Sequence, residues 1–180
     1  MKILIPTILI LFVFCFSECK KHKPETPVEQ LPPVTQSGKN TLGFLLNGQP
    51  WTPAGNNGRA NLSIYVDINY KKGTFNITAY RILSNANRES VGFGIADSLI
   101  FQSIPETLKL GKHSLFGLSL ITNQCTYDFF DSSTYRSGQL TLSKFDKTNQ
   151  IISGTFDVVL YKSGCGDTLK ITEGRFDMKY

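Results

Sequence analysis

From Thr41 onward apolar residues recur at every second position, and that period persists to the end of the chain. Leu42, Phe44 and Leu46 alternate up to Asn47-Gly48, a pair whose tolerance of positive φ suits a two-residue type I′ hairpin. Pro50-Trp51 returns the chain, and the indole is placed to plug one end of a core. Leu62, Ile64, Val66, Ile68 and Tyr70 make one apolar face, with Ser63, Tyr65, Asp67 and Asn69 on the other. Lys71-Lys72-Gly73 reads as a hairpin turn, after which Phe75, Ile77 and Ala79 resume the pattern. Val91, Phe93 and Ile95 follow, while Gly92 and Gly94 on the opposite face leave room for a close neighbour or a bend. Further strands are expected over Cys125 to Phe130, Leu140 to Phe145, Ile151 to Tyr161 and Leu169 to Tyr180.

Two places interrupt the rhythm. Asp97-Ser98 can cap a short helical turn through Ser103, stopped before Pro105. In the last strand Leu169 and Ile171 are odd but Phe176, Met178 and Tyr180 are even, so Glu173-Gly174 is expected to absorb one residue as a bulge. There is no long amphipathic helix and no internal repeat. About eight to ten antiparallel strands, mostly in meander connection, predict one all-β domain over 41–180, either a β-sandwich or a closed β-barrel. The pattern alone does not choose between the two.

Ahead of that domain the periodicity disappears. Lys2 and the 14-residue apolar run Ile3 to Phe16 have the form of a signal peptide, expected over 1–18. Cys19 follows at the junction with a polar stretch, as in a bacterial lipobox, where the thiol is acylated and becomes the new N-terminus. Glu18 and Phe16 depart from the small residue and Leu usual there, and Cys15 fits less well. Uncleaved anchoring and plain secretion are the alternatives. Residues 19–40, with Pro24, Pro27, Pro32, Pro33 and Ser37-Gly38, read as a disordered tether. Its reach is roughly 25 Å as a coil and about 65 Å stretched. The expected location is therefore the cell envelope, on either face of the outer membrane.

Charge changes this picture little. The chain carries a formal +5, but Lys20, Lys21, Lys23 and Lys39 sit in the tether and the remaining basic residues are scattered, so no nucleic-acid partner is expected. After Cys19 is acylated, Cys125 and Cys165 remain, and an even remainder in an oxidising compartment favours a disulfide between them. The rival is zinc with His113 as third ligand, which no paired spacing supports; no metal or cofactor is expected.

Catalytic residues are scarce. His22 and His113 are the two histidines, and no Gly-x-Ser-x-Gly elbow accompanies any serine. Asp128 with Asp131, and Asp157 with Asp177, are the carboxylate pairs a hydrolase would need; turn chemistry and a solvated strand face are the plainer reading of them. Tyr65, Tyr80, Tyr127, Tyr135 and Tyr161 fall at outward or loop positions, where aromatic faces can stack on sugars or peptides or simply pair across strands.

Three stretches, Phe44 to Thr52 with its Asn47-Gly48 and Trp51, Ile152-Ser153-Gly154-Thr155-Phe156, and Ile171 to Asp177, occur in an order that resembles a family of uncharacterised Bacteroidota lipoproteins. The resemblance spans the whole domain and implies an all-β fold behind a lipid anchor, with no known activity. The expected function is a non-catalytic binding or scaffolding module meeting a glycan, a peptide or another envelope protein. A small-ligand carrier with its cavity in a barrel, and a hydrolase using the Asp pairs, are the alternatives.

Overall fold

The computed structural model describes residues 25–99, 103–111, 114–120 and 125–180. The segment expected to be a signal peptide, Cys19, His22 and His113 lie outside the described residues, as do residues 100–102 of the turn expected after Asp97. Eleven strands form two antiparallel sheets. One holds six, in the order β2 (Gln49–Trp51), β1 (Thr41–Leu46), β11 (Leu169–Lys179), β10 (Ile151–Lys162), β9 (Thr134–Asp146) and β6 (Glu106–Lys109). The other holds five: β3 (Leu62–Asp67), β4 (Thr74–Ser84), β5 (Asn87–Ile95), β7 (Ser114–Leu120) and β8 (Cys125–Tyr127). The two sheets do not close on one another, so the architecture is a sandwich and the barrel is excluded.

The period-two pattern forms these strands because each has one face to bury. Phe44, Trp51, Phe156 and Phe176 from the six-stranded sheet meet Phe75, Ile77, Phe93 and Ile95 from the other, all at most 2% exposed. Phe93 lies 4.6 Å from Phe156 and 5.4 Å edge-on from Phe176, which locks the sheets at their centre. Trp51 does close one end of the core. It stacks on Phe44 at 4.6 Å and donates its indole N–H to Glu89 Oε2 at 2.6 Å, across to β5. Arg81 grips the same carboxylate at 2.7 Å and donates to the Pro50 carbonyl at 2.9 Å.

Local chemistry sets the strand ends. Asn47 and Gly48 take φ of 49° and 80°, as the hairpin requires. The bulge falls where the parity change placed it. Phe156 and Val158 of β10 pair with Gly174 and Ile171 of β11, leaving one residue over, and Glu173 has φ 55°. Gly174 is needed there, since a Cβ on it would stand 2.6 Å from the Phe156 ring. The apolar face expected to run to Tyr70 stops early. Asp67 Oδ1 captures the amides of Asn69 and Tyr70 at 2.9 and 3.0 Å, turning the chain into a 3-10 turn over Tyr70–Lys72. Ile68 and Tyr70 are exposed as a result.

The ordered domain begins ahead of Thr41, within the segment expected to be tether. Residues 31–40 lie as a strap over the outer face of the six-stranded sheet. Leu31 is buried, and Pro32 packs so closely on Gly43 that a Cβ there would stand 2.6 Å from its Cδ. Further along, five donors converge on the Asp177 carboxylate. They are Thr35 Oγ1 at 2.6 Å, the amides of Ser37, Gly38 and Lys39 at 3.0, 2.8 and 3.1 Å, and Ser153 Oγ at 2.7 Å. Lys144 secures the Gln36 carbonyl at 3.0 Å, and Asn40 Oδ1 accepts from the Lys179 amide at 2.9 Å. The prolines that argued for a tether lack backbone donors, but the strap draws its donors from four other residues, Thr35, Ser37, Gly38 and Lys39, so the prolines do not prevent it from docking.

Burial of Asp177 opposes its charged form, but the hydrogen bonds from Thr35, Ser153, Gly38 and Lys39 outweigh it and hold the carboxyl well below the usual carboxylate range. A folded-state pKa below the unfolded value of about 3.9 contributes stability that is complete above that value and is lost as pH falls toward the folded pKa. Asp177→Asn replaces one acceptor oxygen by a donor facing donors. It is expected to lower stability at pH 7 by about 2–3 kcal/mol, measured by urea titration. The gap to the native protein should narrow as pH falls below about 4; a gap independent of pH would contradict the latch. Gly174→Ala is expected to cost about 1–3 kcal/mol at any pH.

Candidate functional site

The carboxylate pairs do not assemble a catalytic centre. Asp177 pairs in register with Ser153 and is 1% exposed, whereas Asp157, four residues further along β10, is exposed beside Gln139. At strand rise that separates them by about 13 Å along the sheet, with Asp177 buried under the strap rather than solvated. Asp128 Oδ1 accepts from the Phe130 amide at 2.7 Å, which ends β8 after Tyr127. Asp131 Oδ1 accepts from the Ser133 amide and hydroxyl at 2.9 and 2.7 Å, and its other oxygen meets Lys162 Nζ at 2.7 Å. The Lys162 ammonium and Ser133 keep the Asp131 carboxyl well below the usual range, so it has no proton to give near neutrality.

Cys125 and Cys165 are joined, tying β8 of one sheet to the loop that follows β10 of the other across a sequence separation of 40. In the chain-entropy account such a link is worth about 4 kcal/mol. Bonded to one another, the two sulfurs have no thiolate to offer zinc.

The five tyrosines divide into three groups. Tyr127 is fully buried in the core, where β8 turns it inward, so it is not a binding residue. Burial raises its pKa, with Lys162 opposing, and no described residue pairs with its hydroxyl. Tyr135 and Tyr161 are half-exposed cross-strand partners on the outer face of the six-stranded sheet. Beyond them toward the strap is a depression of about 240 Å³ holding Thr155, Asp157, Glu173 and Arg175, where Arg175 and Glu173 are already paired at 2.8 Å. Tyr65 and Tyr80 belong to the outer face of the five-stranded sheet. Tyr65 stands beside Asn76 in register, and the Tyr80 hydroxyl lies 2.8 Å from Asn57 Oδ1 and 2.6 Å from the Arg59 carbonyl, bracing the loop before β3.

That second face carries the feature no tyrosine pattern disclosed. Outward positions on β5 are Ser90, Gly92 and Gly94, opposite Tyr80, Thr78 and Asn76 of β4. The missing side chains leave a trough made of two depressions of about 270 and 280 Å³ that share Gly92. One end is bounded by Tyr80 and Ala60, the other by Phe129 and Phe130 from the loop after β8. Phe130 is 84% exposed, yet it is mounted firmly. Phe129 meets it edge-on at 5.3 Å, and the Arg136 guanidinium lies 4.8 Å over Phe129. Arg136 itself donates to the carbonyls of Asp128, Phe129, Asp131 and Thr134. The paired glycines were visible in the sequence as a space; that Phe130 borders it depends on the loop's return across the face.

Tyr127→Phe removes an unpaired buried hydroxyl and is expected to change stability by no more than about 0.5 kcal/mol in urea titration; a loss of several kcal/mol would mean that the hydroxyl has a partner. Comparison with known protein families, with curated proteins and with solved structures finds no match to this chain.

Proposed function

We propose that this chain is a non-catalytic binding module of the bacterial cell envelope, anchored through acylated Cys19, and that it binds through the outer face of the five-stranded sheet. The observation that carries the reading is the glycine-floored trough with Phe130 standing almost wholly in water beside it. An exposed aromatic on a braced loop, next to a depression bare of side chains, loses little conformational entropy when a ligand covers it. The carrier alternative has no barrel to enclose a cavity, and of the carboxylates that the hydrolase alternative would use, Asp157 and Asp177 stand four register positions apart and Asp131 is held by Lys162. The anchor rests on the lipobox-like setting of Cys19 and on the resemblance to Bacteroidota lipoproteins. With Leu31 already docked, only the chain from Cys19 to Leu31 remains as linker, a span of about 40 Å at full extension. The binding domain would then ride close to its membrane.

Titrating the isotope-labelled full chain with oligosaccharides and extended peptides tests the site. Amide shifts are expected to cluster at Asn76, Gly92, Gly94 and Phe130; shifts confined to other surfaces would move the site, and none across the panel would remove the reading. The anchor is tested separately: labelling by a fatty-acid analogue is expected to vanish in Cys19→Ala, and its persistence would refute acylation there.

A further inference from the structure

Glycine in a strand interior loses backbone entropy on folding and offers nothing to pack, so a strand glycine calls for a reason. Gly94 has one inside the fold: a Cβ on it would lie 2.0 Å from the Phe75 carbonyl oxygen. Gly92 has none. Among the described residues a Cβ there would meet only Thr78 Cγ2 at 3.8 Å and the Ile77 oxygen at 4.0 Å, both ordinary contacts. Register places Gly117 of β7 opposite it, so bare backbone extends across two strands. Neither a crowded neighbour nor the backbone conformation demands Gly92. What its bareness does provide is the junction of the two depressions.

The chemistry around that junction is selective. Among the described residues lining the two depressions, Asp128 alone is charged, and one of its oxygens is turned back to the Phe130 amide. The remaining polar side chains are neutral: the Asn76 amide, the hydroxyls of Thr74, Thr78 and Ser90, and the Tyr80 hydroxyl, which is held by Asn57 and Arg59. A polyanionic ligand finds no counter-charge among these residues, and a polycationic one finds only the half-engaged Asp128 carboxylate. Nor can a peptide add as a strand, because β5 lies between β4 and β7 and its ladder is paired on both sides. The surface asks for a flat ring with an apolar face for Phe130 and a rim of hydroxyls for amide and hydroxyl groups. Together the depressions reach the range of small-ligand sites, about 300–1,000 Å³.

We infer that the trough takes a neutral oligosaccharide laid along β5, one sugar ring stacked on Phe130 and its hydroxyls meeting Asn76, Thr78 and Ser90. This rests on the binding-module reading and gives it a ligand class. Gly92 keeps the floor low enough for the sugar chain to pass.

Calorimetric titration of the full chain in a zwitterionic detergent, with cellohexaose, maltohexaose, a galacturonate hexamer and an extended neutral peptide as probes, tests it. A neutral hexasaccharide is expected to bind, about fivefold or more weakly to Phe130→Ala. Gly92→Val should abolish binding while the melting temperature holds or rises, since valine suits a strand and its Cβ meets the described residues at ordinary contact distance. Neutral-sugar binding untouched by both substitutions would overturn the site. Binding of only the galacturonate or the peptide, lost in Gly92→Val, would overturn the ligand class and leave the binding module standing. Silence from every probe would count against both.

Discussion

A carboxylate withdrawn from water has to be met by donors, and five of them converge on Asp177. Four come from residues 35–39 and the fifth from β10, so a single side chain on the last strand fastens the segment preceding the first strand to the centre of the sheet. β1 and β11 are themselves neighbours, with Thr41 opposite Asp177. The start of the domain, its end and its covering strap thus share one point. Removing the charge would leave donors without an acceptor under a packed segment, where an unmade hydrogen bond is more costly than a made one is beneficial.

The strap makes the two outer faces unequal. On the six-stranded sheet Leu31, Pro32 and the Asp177 latch occupy the upper part, and the ion pair of Arg175 with Glu173 fills space beside it. The five-stranded sheet has no such cover among the described residues, and its middle is lowered further by glycines. Between the faces the core is closed by the aromatic cluster, by the Trp51–Glu89–Arg81 clamp and by the Cys125–Cys165 bridge. All three cross from one sheet to the other. A sandwich fixed in this way at both ends is a rigid mount for whatever its open face meets.

Much of the fold was legible because strand physics is local. Alternation gave the buried faces, Asn47-Gly48 the hairpin, the parity change the bulge, and leftover cysteines the bridge. What escaped depended on partners distant in sequence. The strap has no period, and its apolar residues are Leu31, which is buried, and Val34, which is exposed, so nothing in residues 31–40 announces a carboxylate 138 or more positions away. Asp177 looked like a solvent-facing strand residue because its cover is invisible without the strap. Tyr127 was misplaced because β8 is short and its parity could not be set from three residues. The Asp67 turn that releases Ile68 and Tyr70 overrode an apolar pattern that continued in sequence but not in space. The stretches Asn47 to Trp51, Ile152 to Phe156 and Ile171 to Asp177 have roles inside the fold: Ser153 and Asp177 hold the strap, Gly174 admits Phe156, and Trp51 packs on Phe44 in the core.

The central claim is that the proline-rich stretch before Thr41 belongs to the folded domain. Amide hydrogen exchange at Ser37, Gly38 and Lys39 measures it directly, because all three donate to Asp177. Latched amides exchange only when the strap opens, so protection well above that of a free linker is expected, and in excess of that at exposed Asn56. Exchange at the rate of an unstructured chain would show that the strap is not held, and the account built on Asp177 would fail.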